Sequence, residues 1–159
     1  MAREIPVSLR NKLGAWNNGN GVGLADWLSL TGTYGLAVGY ADLFWPEFYC
    51  YGPYILHVDR GFSGLEAWER KLGKNGRAIE AVVNHVHLAD LLSPEDDDCT
   101  ADKLSFLGRI MKEIYEAKLD WQFPDRPCVV KYDEPEPDGD LLDYKITFWQ
   151  KSWERDFPT

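Results

Sequence analysis

The sequence predicts an α+β fold, with about four helices packed on a small antiparallel sheet. Three observations carry that prediction. Segments with apolar residues at helical spacing crowd the middle of the chain, at 63–72, 77–92 and 100–121. Short β-branched and aromatic runs stand at about 54–58, 127–133 and 143–149, too few for a parallel βαβ alternation. The 159 residues are 45% hydrophobic and 14% aromatic, enough to fill the core of one domain spanning 1–159.

Pro6 through Leu13 reads as a short helix, with the proline in its first turn and Gly14 just past its end. Asn17 to Gly23 is rich in turn residues, and Leu24 to Leu30 reads as a second short helix ending near Gly32. Residues 1–32 are the least patterned part and read as an N-terminal extension. Thr33 caps a helix from Tyr34 to about Trp45, in which Leu36, Tyr40, Leu43 and Phe44 recur at helical spacing. Pro46 stops it, because proline lacks the amide donor and restricts the residue before it. Gly52 and Pro53 make a turn into a strand from Tyr54 to Val58.

Ser63 and Glu66 form a capping box for a helix to Leu72, closed by Gly73. Arg77 to Leu92 reads as a helix whose buried stripe is Ile79, Val82, Val83 and Val86. Ser93-Pro94-Glu95-Asp96 and Thr100 are alternative starts for a long amphipathic helix. One face of it carries Leu104, Leu107, Met111, Ile114, Tyr115 and Lys118, and Pro124 ends it. Cys128 to Tyr132 and Tyr144 to Trp149 read as an antiparallel pair joined by an acidic, proline-rich connection at 133–140. Ser152 to Thr159 reads as a tail.

Charge and cysteine content narrow the function classes. Seventeen Lys+Arg against 26 Asp+Glu give a formal charge of -9, which repels phosphate backbones and anionic membrane surfaces and suits a basic partner. Cys50, Cys99 and Cys128 are odd in number and widely spaced, so neither a disulfide framework nor a structural zinc site is expected. Cys50 and Cys128 read as core thiols, and the aspartates before Cys99 disfavour its thiolate. With no apolar leader and no membrane-length run, the expectation is a soluble, cytoplasmic protein.

Catalytic signatures are weak. Gly19-Asn20-Gly21-Val22-Gly23 lacks the third glycine of the dinucleotide fingerprint and the Gly-Lys-Ser/Thr of a phosphate loop, so no nucleotide cofactor is expected. His57, His85, His87 and Asp90 are the candidate metal or acid–base set. On a regular helix, however, positions 85 and 87 point about 200° apart. Asp90 falls in the apolar stripe of that helix and there needs a partner. Asp42 and Glu47 flank aromatic rings, as paired carboxylates do in sugar-cleaving clefts.

The densest feature is Asp42-Leu43-Phe44-Trp45-Pro46-Glu47-Phe48-Tyr49-Cys50-Tyr51, where five rings crowd ten residues. Such a run is either core or the place where a partner docks. Within it Leu43-Phe44-Trp45-Pro46-Glu47-Phe48, together with Ala81-Val82-Val83-Asn84-His85-Val86-His87 and with Ala117-Lys118-Leu119 leading through Phe123-Pro124-Asp125-Arg126 to Ile146-Thr147-Phe148-Trp149-Gln150, resembles a group of uncharacterised bacterial proteins over about residues 41–150. The resemblance implies a bacterial, soluble, single-domain α+β protein and transfers no catalytic residues.

The leading expectation is a non-enzymatic binding protein, inhibitor- or immunity-like, that docks a basic partner. Trp45, Phe48, Tyr49 and Tyr51 would form its aromatic face and Glu47 the acidic rim. One alternative is a small metal-dependent or acid–base enzyme using the histidines with Asp90. Another is a small-ligand binder whose pocket the same aromatics line. The oligomeric state is not readable from the sequence.

Overall fold

The computed structural model describes residues 4–58, 64–92, 98–136 and 138–155. The architecture is α+β, but the described residues form six α-helices and two small antiparallel sheets where the sequence suggested about four helices and one sheet. Helix α1 spans Val7–Ala15 behind Pro6, α2 Leu24–Thr31 and α3 Tyr34–Phe44. Thr33 caps α3 as expected, its hydroxyl accepting from the Leu36 amide at 3.2 Å. The glycine-rich segment before α2 is a turn, with Asn17, Asn18, Gly19 and Gly21 at positive φ.

Strands β1 (Phe48–Tyr51) and β2 (Tyr54–His57) form a hairpin around Gly52, which turns at φ 56°. The second strand was legible and the first was not, because its rings masked the alternation. Helix α4 covers Leu65–Leu72, with Gly64 at its N-cap and Gly73 at positive φ at its end; Ser63 lies outside the described residues. Helix α5 covers Gly76–Val83 and is capped by the Asn75 side chain, which accepts from the Ala78 amide at 3.0 Å.

The expected helix over 77–92 is therefore wrong in its second half. After Asn84 the chain becomes strand β3 (Val86–His87), which pairs with Ile146 and Lys145, and then a 3₁₀ turn at Leu88–Asp90. Val82, Val83, Asn84 and His85 are weak helix formers, so a strand ladder overrides them at little cost. The long helix α6 runs Ala101–Gln122 from the Thr100 cap; the Ser93 start lies outside the described residues. It buries Leu104, Met111, Tyr115, Lys118 and Leu119. Strands β4 (Cys128–Asp133) and β5 (Lys145–Gln150) pair as read, giving a sheet of order β3-β5-β4. The C-terminal segment is not merely a tail: Lys151–Arg155 is a 3₁₀ turn, and Trp153 packs on the small cluster of Tyr54, Leu56, Leu65 and Ile79.

The main core joins Phe48 and Ile55 of the hairpin, Val86, the α6 face, and Val130, Ile146 and Phe148 of the larger sheet. Gly108 lets α6 lie against β4, since a Cβ there would stand 2.2 Å from the Tyr132 ring. Helix α1 is docked rather than trailing. Its Ser8 amide and hydroxyl donate to Asp102 at 2.8 and 2.9 Å. Burial alone would raise the Asp102 carboxyl, but these bonds, with those from Thr100 and the Lys103 amide, hold it down at about 2.

Among the described residues no backbone ladder joins β2 to β5. Two buried side chains one helical turn apart, Glu80 of α5 and Asn84 at its C-cap, bridge them instead. Glu80 accepts from the Ile55 amide at 2.8 Å and the Gln150 amide at 2.7 Å, and Gln150 Nε2 donates to it at 2.5 Å. Asn84 accepts from the His57 amide at 3.1 Å and donates to the Ile55 and Phe148 carbonyls at 2.9 and 3.3 Å. Gln150 also donates to the Pro53 carbonyl at 2.9 Å, and Arg126 Nε donates to Gln150 Oε1 at 2.8 Å, so the turn of the hairpin is held as well.

Two predictions follow from this packing. Gly108→Ala should lower the free energy of urea unfolding by about 1–3 kcal/mol, the usual cost of overpacking; an unchanged midpoint would contradict the close approach. Burial pushes the Glu80 carboxyl above its ordinary value, although the donations from Gln150 and Ile55 oppose this. The unfolded chain therefore ionises first, so the stability this group lends is whole below about 4.5 and is lost as pH rises above it. The stability difference between wild type and Glu80→Gln should shrink as pH climbs from about 4.5 towards neutrality, and a pH-independent difference would contradict the assignment.

Candidate functional site

The aromatic run divides between core and surface. Helix α3 delivers Trp45, whose amide still donates to the Ala41 carbonyl at 3.0 Å before Pro46 ends the helix. The next carbonyls are taken by other elements: Glu47 O accepts from Val58 N at 3.0 Å, and Phe48 O from Gln122 Nε2. The corner at 45–48 is thus tied both to the hairpin and to the end of α6.

Helix α6 supplies Lys118 and Trp121 at i and i+3, which puts them on one face. Lys118 is only 2% exposed. Its Nζ lies 5.1 Å from the Trp45 ring centroid and 4.9 Å from that of Trp121, and reaches Glu47 Oε1 at 3.2 Å. The two indoles are 6.4 Å apart and tilted by 40°, yet Trp45 stays 47% and Trp121 70% exposed. A buried cation thus holds two solvent-facing rings from beneath, in cation–π geometry. Asp42, Glu47 and Asp120, close to the two tryptophans in sequence, are exposed, and Lys12 and Arg60 are the nearest basic residues in sequence on either side of Trp45.

The remaining face residues go elsewhere. Phe48 is 2% exposed and packs edge-on against His57, Tyr115 and Phe148 at 5.5, 5.3 and 4.9 Å, so it is core and not a docking anchor. Alternation along β1 turns Tyr49 and Tyr51 to the other side of the strand. Tyr49 leans on the small cluster with its hydroxyl raised by burial, and Tyr51 is 48% exposed. Trp121 was missed in the sequence because it read only as the end of a helix. Its spacing from Lys118 on the edge of the apolar stripe was the available signal.

The four residues of the metal alternative, His57, His85, His87 and Asp90, are placed apart from one another except for His85 and His87. Among the described residues no group of three or more His, Cys, Asp and Glu is placed to hold an ion. His57 is 7% exposed and lies against the Phe48 and Tyr115 rings. Because the helix stops at Asn84, His85 and His87 flank Val86 in extended backbone and fall on the same side, with ring centroids 4.4 Å apart. His87 Nδ1 lies 2.5 Å from the Leu142 carbonyl, and Asp90 is exposed on the 3₁₀ turn, so it has no buried stripe to disturb. Of the Asp42–Glu47 pair, Glu47 is engaged by Lys118. Cys50 is exposed, contrary to the core reading, while burial pushes the half-buried Cys128 thiol up to about 12. A cavity of about 480 Å³ does open between α3 and α6, but Tyr40, Phe44, Leu88, Leu104 and Met111 line it rather than the expected aromatics.

No family model matches the chain, and neither a curated protein nor a solved structure matches it.

The indole pair rests on the packing of the Lys118 stem more than on its ion pair. Lys118→Ala should cost about 2–4 kcal/mol in urea unfolding, as for truncation of a buried aliphatic chain. Glu47→Ala should cost less than about 1 kcal/mol, because the Glu47 side chain is 65% exposed and its removal opens Nζ to water. Equal losses in the two variants would contradict this ordering.

Proposed function

We propose that the chain is a non-enzymatic binding protein, inhibitor- or immunity-like in mode, that docks a basic partner through an aromatic face with an acidic rim. One observation carries the reading: Trp45 and Trp121 are exposed at 47% and 70% yet fixed over a Lys118 that is itself 2% exposed. A ring that already occupies its bound position loses little freedom on association, which is why preorganised tryptophans recur as binding hot spots. The charge pattern agrees. The net charge of -9 and the acids around the rings would steer a basic surface towards them and repel an acidic one. Glu47 combines both roles, since one carboxylate oxygen meets Lys118 and the side chain is otherwise largely in solvent. Of the expected face, Trp45 and Glu47 remain exposed at this corner and Trp121 joins them, while Tyr51 is exposed away from it.

Selection of a random displayed peptide library against the intact protein tests this reading. Selected peptides should be enriched in Lys and Arg beside apolar residues. They should bind the doubly substituted Trp45→Ala, Trp121→Ala protein at least about tenfold more weakly, with its circular dichroism unchanged. Peptides without a basic bias, or equal binding to the substituted protein, would overturn it.

A further inference from the structure

Helices α2 and α3 bury no residue, although both are rich in apolar side chains. Every residue of α3 from Tyr34 to Asp42 is exposed, and on one side of the helix the apolar ones have an order. Tyr34, Val38, Ala41 and Trp45 are spaced by four, three and four, which brings them onto one side of the helix. That side faces solvent: Tyr34 is 95%, Val38 71% and Trp45 47% exposed, and Ala41 is exposed too. The opposite side is covered only in its last turns, where Tyr40, Leu43 and Phe44 line the cavity, while Leu36 on it is 53% exposed. Spacing by four and three is that of a seam packing against a second helix. It runs about 17 Å, the rise of eleven residues, and ends at the Trp45–Trp121 pair.

Charge identifies the occupant. Residues 13–59 contain no Lys or Arg, and the acids among them include Asp26, Asp42 and Glu47. Asp42 flanks the seam and Glu47 stands at its end, with Asp120 beside Trp121. A second copy of this chain would bring the same acids against them, and like charges across an interface are costly. An anionic bilayer surface would be repelled in the same way. An amphipathic helix with lysine or arginine beside its apolar stripe satisfies both the seam and its rim.

We infer that the outer face of α3, continued by Trp45 and Trp121, is a groove-free seat for a basic amphipathic helix of a partner protein. This rests on the binding reading above and adds the shape of what is bound: a helix of at least about three turns, held at i, i+3, i+4 and i+7 positions.

The experiment uses the intact protein and two labelled synthetic peptides of about 18 residues with the same leucine and lysine content. One places leucines at helical spacing; the other alternates leucine and lysine. Fluorescence anisotropy should show the helical peptide binding at least about tenfold more tightly than its isomer. Val38→Glu should weaken that binding at least about tenfold, although it adds the negative charge that simple electrostatic attraction would reward. Val38 is exposed, so circular dichroism should show the fold kept. Binding of both peptides that Val38→Glu leaves unchanged but Trp45→Ala, Trp121→Ala weakens would overturn the helix seat and leave the binding reading standing. Binding that neither substitution weakens, or no binding of either peptide, would overturn the seat and count against that reading. A dimer in sedimentation that Val38→Glu dissociates, or flotation with phosphatidylcholine vesicles that Val38→Glu abolishes, would reassign the seam to a second copy or to a membrane.

Discussion

Among the described residues the two sheets meet without a backbone ladder, and the whole arrangement depends on how that gap is closed. Strand β2 presents the Ile55 and His57 amides and the Ile55 carbonyl towards β5, which presents the Gln150 amide and the Phe148 carbonyl. Left dry and unpaired, each such group costs about 1–3 kcal/mol. Glu80 and Asn84, both 0% exposed, satisfy all five from one helix. The bridge is demanding, because a carboxyl and an amide must themselves be buried. It is tolerable because their hydrogen bonds are made to fixed backbone groups. It also sets the spacing of α5 on β5, where Thr147 donates to the Ala81 carbonyl at 2.6 Å.

The candidate docking face inherits its position from that bridge. Holding β2 against β5 places the hairpin, and with it Phe48, which plugs the core among His57, Tyr115 and Phe148. The residues just before Phe48 are then forced outward, with Pro46 breaking the helix and Glu47 and Trp45 left over the end of α6. Lys118 completes the corner. Its stem fills space that an apolar residue would fill, and its ammonium meets two indole faces and one carboxylate. Two surface rings thereby share one buried support while remaining exposed. Beyond the corner, α3 carries its apolar seam away from the body, a division between a packed domain and a helix whose outer side is left uncovered.

Where local chemistry decides, the sequence was readable. Thr33, Gly73, Thr100 and the prolines at 46 and 124 marked helix limits that the structure keeps, and β4 and β5 form the antiparallel pair read from their apolar runs. Where distant partners decide, it was not. Asn84 ends its helix because two strands far along the chain use its side chain, and no local pattern announces that. The same break carries His85 and His87 from opposite sides of a helix to one side of a strand, and it frees Asp90 to face water. Phe48 and Trp45, three residues apart in one aromatic run, have opposite fates for a reason that lies in α6 and the hairpin. The polar pair Glu80 and Asn84, at i and i+4 inside an apolar helix, was the overlooked sign that something buried needed hydrogen bonds.

Amide hydrogen exchange on wild type and Asn84→Leu tests the bridge most directly. Asn84 touches the His57 amide, whereas the Gln150 amide is held by Glu80. If the two side chains act as one bridge, the His57, Ile55 and Gln150 amides should lose protection together, while the ladder between β4 and β5 keeps its own. Faster exchange at His57 alone, with Gln150 unchanged, would mean that the sheets are held together by something other than this pair.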